Sequence, residues 1–164
     1  MPRADLTIDE VMTILRETPR RMVALTTDLS RDQLQTPPEA DAWSINDVLA
    51  HLRASSDVLG GNILRIVAED HPAWKRLSPR AWMKKTDYTS WAFEPAFDAF
   101  RQQRAELLAV LEPLPARTWA RTAAVDEYGS TVERSILFFG DWLADHERVH
   151  LTQIEQIASG RATA

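Results

Sequence analysis

Two of the four histidines, His146 and His150, stand four residues apart in the pattern His-Glu-x-x-His. On an α-helix this spacing places both side chains on one face, so two imidazoles can bind a single ion. Glu147 lies between them and is a candidate catalytic residue, as a general base or as a group that orients a histidine ligand. The alternative for Glu147 is a solvated ion pair with Arg148.

The apolar residues around this motif indicate which way the two histidines face. They recur in steps of three and four, at Ile136, Phe139, Leu143, Ile154 and Ile157. His146 and His150 continue this stripe and are predicted to point into the protein, whereas Asp141 is expected to face solvent. A core-facing histidine is more often a hydrogen-bonded packing residue than a metal ligand, so packing alone stays open as an alternative.

A third histidine strengthens the case for a metal site. His51 follows Val48 by three residues, at the edge of the apolar stripe of a helix that Ser44 is expected to cap. Three neutral imidazoles around one open position suit a divalent transition metal such as zinc or nickel. The fourth histidine, His71, precedes Pro72 and is expected to be exposed.

The wider pattern argues against a zinc peptidase. A metzincin would need glycine at position 153 and histidine at position 156, where this chain has Gln153 and Gln156. A thermolysin-like site takes a glutamate from a later helix, and we expect the 14 residues after His150 to leave no room for one. The third ligand is therefore expected upstream, at His51.

The composition is typical of one globular domain, which we expect to span residues 1–164, with 45% hydrophobic and 26% charged residues. A net charge of −5 without a basic run argues against nucleic-acid binding. No apolar stretch is long enough to span a membrane, and no apolar signal core is seen, so a soluble, cytoplasmic protein is expected. The chain has no cysteine, which excludes disulfides, zinc–thiolate sites and a cysteine nucleophile.

Periodic apolar residues predict four long helices. These cover residues 6–29, 44–68, 95–111 and 131–160. Pro19 should kink or split the first helix, and the pair Gly60-Gly61 weakens the middle of the second. The predicted fold class is therefore all-α, a four-helix bundle with two long connections, 71–92 and 115–131, either of which could contain a short hairpin.

Aromatic and basic residues concentrate in and near the first long connection. Trp43, just before the second helix, is expected to pack against the start of that helix. The connection itself contains Trp74, Trp82, Trp91, Arg76, Arg80, Lys84 and Lys85. Its basic residues could attract a carboxylate-bearing substrate or thiol, or could form a solvated loop.

Taken in order, these motifs resemble the DinB/YfiT-like superfamily of metal-dependent enzymes. The resemblance is carried by WSINDVLAHL at 43–52, DHERVHLTQI at 145–154, Phe-x-x-x-Arg at 100–104 and the turn at Gly129. It implies an up-down-down-up four-helix bundle with a metal site near one end, formed by His51, His146 and His150. It also implies a homodimer and, from some members, a thiol-dependent transferase or isomerase that uses bacillithiol, mycothiol or glutathione. Glu147 is not required for the family site.

Three functions follow from these observations. The first is a metal-dependent enzyme for a small-molecule substrate, either a transferase or isomerase with an external low-molecular-weight thiol, or a small-molecule hydrolase. The second is a non-catalytic binding or stress-response module with a structural metal, and the third is a metal-free dimerisation bundle. The inward-facing histidines argue against the third. An open coordination position would favour the first, and a closed coordination sphere would favour the second.

Overall fold

Seven α-helices and three short strands make up the part of the chain that the computed structural model describes, residues 5–160. The helices are α1 (Ile8–Thr26), α2 (Arg31–Gln35), α3 (Ile45–Ser55), α4 (Gly61–Ala68), α5 (Pro79–Met83), α6 (Phe93–Leu111) and α7 (Ile136–Ala158). The strands are β1 (Ala73–Lys75), β2 (Thr122–Glu127) and β3 (Ser130–Ser135). The ends of the predicted domain, 1–4 and 161–164, lie outside the described residues.

Four helical rods form the bundle: α1, α3 with α4, α6 and α7. A single π-helical turn, Ser56–Gly60, joins α3 to α4, so the two helices form one rod. This turn ends at the pair Gly60-Gly61, where the sequence predicts a weakened helix, and single π-helical turns of this kind occur inside α-helices. Among the described residues, no helix is long and apolar enough to cross a membrane.

Contacts between the rods give their directions. The Leu6 N–H donates to Asp141, and the Thr18 hydroxyl donates to Glu147, so α1 and α7 run the same way. The two middle rods run the opposite way, because their first turns share an apolar cluster with the last turns of α7. That cluster includes Ile45, Val48, Ala96, Phe97, Leu151 and Ile154. The bundle is therefore up-down-down-up, the arrangement that the family resemblance implied.

A capping box fixes the start of α3. The Ser44 hydroxyl accepts from the Asp47 N–H at 3.1 Å, and the Asp47 carboxylate accepts from the Ser44 N–H at 2.9 Å. The predicted cap is therefore confirmed, and it stabilises the first turn of the helix that carries His51.

The predicted all-α class is correct only for the bundle, because both long connections contribute strands to a small sheet. β2 and β3 form an antiparallel hairpin, and β1 pairs in parallel with β2. Tyr128 and Gly129 make the turn with positive φ angles of 56° and 87°. Ala123 and Val125 on β2 are buried against the bundle, and their alternation is the strand signal. Since β3 occupies 130–135, α7 begins at Ile136 and not near residue 131.

Pro19 does not split the first helix. α1 continues from Ile8 to Thr26 through the proline. Proline has no N–H to donate to the carbonyl four residues earlier, which belongs to Leu15. The Leu15 carbonyl accepts instead from the Arg104 guanidinium on α6 at 2.9 Å. A side chain from another rod thus replaces the missing helical hydrogen bond.

Two glycines give a matched test of the packing. A Cβ on Gly140 would lie 3.2 Å from both Trp119 and Val11, which are core residues, whereas a Cβ on Gly61 would meet no atom within 4 Å. We expect Gly140→Ala to lower the free energy of unfolding by roughly 1–3 kcal/mol through overpacking. Gly61→Ala should raise it by about 0.5–1 kcal/mol, because alanine is favoured in a helix. Urea unfolding of both variants measures the difference, and a Gly140→Ala variant as stable as Gly61→Ala would contradict this packing.

Candidate metal centre

Three histidine side chains meet at the end of the bundle where α3 begins. The Nε2 atom of His146 lies 2.9 Å from Nε2 of His51 and 3.0 Å from Nε2 of His150. His51 is only 3% exposed, whereas His146 and His150 are partly exposed. The structure thus brings together the three histidines that the sequence singled out, from two rods and across 95 residues of chain.

Burial keeps these imidazoles neutral at neutral pH. Burial first, then the neighbouring imidazoles and the positive charge of Arg80, lower the pKa of His51 to about 4 and that of His146 to about 3. Burial and Arg80 also lower the pKa of His150. Neutral imidazoles are the form that binds a metal ion, so the rings are in their ligand state without a change of pH.

The contact with Gln153 determines which nitrogen of His150 carries the proton. The Gln153 amide oxygen lies 2.8 Å from Nδ1 of His150, and an amide oxygen can only accept a hydrogen bond. The proton of this neutral ring is therefore on Nδ1, and Nε2 presents a lone pair to His146. Metal-binding histidines typically donate their other ring N–H to an oxygen in this way.

Hydrogen bonds alone cannot satisfy the three Nε2 atoms. A neutral ring has one N–H, so His146 has at most one proton to offer its two neighbours at 2.9 and 3.0 Å. A divalent cation, in contrast, accepts a lone pair from each ring at once. The donor set, three neutral imidazoles, is one that zinc, nickel and related ions prefer, and the residues therefore fit a metal ion.

Trp43 packs directly on the cluster. The centre of its ring system lies 5.0 Å from that of His51 and 6.3 Å from that of His150, with an angle of 27° to the His150 ring. The guanidinium of Arg80, on α5, lies 4.9 Å from the same aromatic centre. Trp43 was expected only to pack at the start of α3. It also restricts the imidazoles of His51 and His150 and contacts the guanidinium of Arg80.

Glu147 lies beside the histidines in sequence but faces the middle of the bundle. It is fully buried, and its carboxylate accepts from the Thr18 hydroxyl at 2.7 Å and from Arg104 at 3.1 Å, with a second close contact to Arg104. The alternative partner suggested by sequence is wrong, since Arg148 pairs with Asp145 at 2.6 Å. Glu147 thus ties α7 to α1 and α6.

The expectation that Asp141 faces solvent is also wrong. Asp141 is buried and accepts from the Leu6 N–H at 3.2 Å, just before α1 begins. The periodicity of α7 places this residue off the main apolar stripe, but α1 covers that side of the helix as well. His71 is exposed, as expected, and contacts Glu133.

Sequence reasoning missed the partner of Glu147. Arg104 is 2% exposed, and it reaches Glu147, the Leu15 carbonyl and the Ser56 hydroxyl. The available signals were the arginine in Phe-x-x-x-Arg at 100–104 and the proline inside α1. Neither signal names its partner, because these contacts join residues that are 43 to 89 positions apart.

Three side chains form the cluster, and two of them are partly exposed. Within residues 5–160, no aspartate, glutamate or fourth histidine joins the three ligand atoms, which all lie within 4.8 Å of one another. Partial exposure of His146 and His150 places the cluster at the protein surface. Catalytic metal sites commonly combine three protein ligands with an open position in this way.

Comparisons with known proteins identify the family. The model of the DinB superfamily matches residues 14–154. A relative from Oceanobacillus iheyensis is 22% identical over 92% of this chain and 87% of its own length, and one from Geobacillus kaustophilus is 24% identical over 92% and 83%. Both carry the provisional name of metal-dependent hydrolase.

A solved structure shows the same fold. YfiT from Bacillus subtilis, described as a probable metal-dependent hydrolase with an unusual four-helix bundle topology, matches with a TM-score of 0.72. The match covers 99% of this chain and 94% of YfiT at 18% identity. This chain belongs to the DinB superfamily.

The histidines give the first prediction about the site. We expect the purified protein to hold about one divalent ion per chain, and His51→Ala, His146→Ala and His150→Ala each to lose most of it, because each removes one of three ligands. His71→Ala is the matched control and should keep the metal, since His71 lies outside the cluster. Plasma mass spectrometry measures the metal content. Full retention in His51→Ala would exclude the three-histidine site.

The ion pair beneath the site gives a separate prediction. Arg104→Met should lower the free energy of unfolding by about 3–5 kcal/mol, because it leaves the Glu147 carboxylate buried without its cation. Adding Glu147→Leu should restore much of this loss, since an apolar pair replaces an ionic one. A double-mutant cycle by urea unfolding measures the coupling. Strictly additive losses would contradict a direct ion pair.

Proposed function

We propose that this member of the DinB superfamily is a metal-dependent hydrolase of small molecules, with its ion held by His51, His146 and His150. One observation carries the proposal: the Nε2 atom of His146 lies within 3.0 Å of the Nε2 atoms of His51 and His150, and His146 and His150 are partly exposed. Open three-histidine sets are typical of catalytic sites. The names of the two bacterial relatives support hydrolysis.

Residues around the three histidines would orient them for metal binding. A divalent ion bound there supplies Lewis acidity, which lowers the pKa of water and provides a nucleophile at neutral pH. Gln153 orients His150 through Nδ1, and Trp43 packs against two of the rings. Both oxygens of Glu147 contact Arg104, which supports a positioning role for Glu147 instead of that of a general base.

Two alternatives carry less support. A structural metal would need a closed coordination sphere, and the group found among residues 5–160 has three members. Thiol-dependent transfer rests on the family resemblance, and no contact of the described residues favours it. Zinc and nickel both suit the donor set.

Activity of the reconstituted protein tests the proposal. We expect the zinc- or nickel-loaded protein to cleave members of a panel of small activated esters, lactones and amides without added thiol. Chelation should abolish this activity, and His150→Ala should lower it at least 100-fold because the site loses a ligand. His71→Ala should leave it unchanged.

Two outcomes would overturn the proposal. Activity only in the presence of a low-molecular-weight thiol, with transfer of the thiol to an electrophile, would indicate a transferase. One tightly bound ion per chain with no cleavage anywhere in the panel would favour the structural-metal module.

A further inference from the structure

Arg80, in the connection between α4 and α6, lies at the edge of the histidine cluster. We propose that Arg80 anchors an anionic group of the substrate, a carboxylate or phosphate, beside the metal ion. The inference rests on the proposed function and names the class of substrate: a small molecule with an anion next to the group that is hydrolysed.

The position of Arg80 is the first argument. Its guanidinium lies 4.9 Å from the ring centre of Trp43, and that indole packs on His51 and His150. Arg80 is exposed, and within residues 5–160 no aspartate or glutamate forms an ion pair with it. A guanidinium stacked on an aromatic face keeps its N–H groups free to bind a carboxylate or phosphate through two hydrogen bonds.

The charge of Arg80 is the second argument. Its guanidinium places a positive charge beside the histidine cluster, against the Trp43 indole that packs on His51 and His150. The same field repels a divalent ion and weakens metal binding. An anion that lies between the guanidinium and the ion reverses this effect, because it is attracted by both charges.

The neighbouring contacts hold Arg80 in place. It lies on α5, where Ser78 caps the helix by accepting from the Ala81 N–H at 3.1 Å. Two residues after Arg80, the Trp82 indole donates to Asp57 at 2.9 Å, and Asp57 also accepts from the Tyr88 hydroxyl at 2.7 Å. Asp57 belongs to the π-helical turn between α3 and α4. These contacts fix the backbone that carries Arg80, and the indole of Trp43 supports its guanidinium, which reduces the freedom lost when an anion binds.

A second arginine of this connection, Arg76, contacts residues outside the histidine cluster. Arg76 donates to the Tyr128 hydroxyl at 2.7 Å and lies over the rings of Tyr128 and Trp142. It is therefore a matched control: an arginine of the same connection, stacked on aromatic rings, outside the site.

Anion binding to the cobalt(II)-loaded protein tests the proposal without any assay of activity. Inorganic phosphate and acetate are titrated into wild type, Arg80→Gln, Arg80→Lys and Arg76→Gln, and the visible absorption of cobalt reports binding at its open position. We expect Arg80→Gln to weaken anion binding about tenfold or more, Arg80→Lys to retain part of the affinity, and Arg76→Gln to match wild type. In the absence of anion, Arg80→Gln should bind cobalt a few-fold more tightly, as measured by competition with a chelator.

The outcomes separate this inference from the proposed function. Equal anion affinities of wild type and Arg80→Gln, with cobalt bound by both, would overturn the anchor alone. Arg80-dependent anion binding by a protein that cleaves nothing would support the anchor and contradict hydrolysis. Failure of wild type to bind cobalt would overturn both.

Discussion

Three neutral imidazoles held with Nε2 atoms 2.9 and 3.0 Å apart impose the constraint on which the rest of this structure depends. Their protons cannot satisfy all three nitrogens, so the rings stay together only because the helices hold them there. The capping box of Ser44 fixes the start of the helix that carries His51, and the spacing of four fixes His146 over His150. Trp43 closes one side of the group.

A buried polar layer holds the rods in register beneath the histidines. Glu147 follows His146 directly and pairs with Arg104 from α6, while Thr18 and the Leu15 carbonyl join from α1. The proline inside α1 is part of this layer, because it frees the carbonyl that Arg104 needs as a partner. Buried ionic groups contribute little net stability, but they penalise any shift that separates them. We infer that the layer fixes the rotation and height of α7, and with them the direction of His146 and His150.

The helical rods and much of the histidine cluster could be predicted from sequence, because they depend on residues that are close together in the chain. Periodic apolar residues gave the four rods, the spacing of His146 and His150 gave their shared face, and Ser44 with Asp47 gave the cap. What sequence could not supply are pairings between distant residues. The partner of Glu147 lies 43 positions away, and the donor to the Leu15 carbonyl lies 89 positions away. The sequence allowed a short hairpin in either connection, and β2 and β3 form one, but the pairing of β1 with β2 could not be predicted because it crosses an intervening rod, α6.

X-ray absorption spectroscopy of the metal-loaded protein tests the central claim most directly, because it counts the imidazoles bound to the ion. We expect three imidazole ligands at about 2.0–2.1 Å for zinc, with at least one further light-atom ligand from solvent. We also expect inorganic phosphate to change this solvent-derived part of the spectrum and to leave the three imidazoles in place. A coordination shell with one imidazole or none, or a shell of four protein ligands that phosphate does not alter, would contradict an open three-histidine centre.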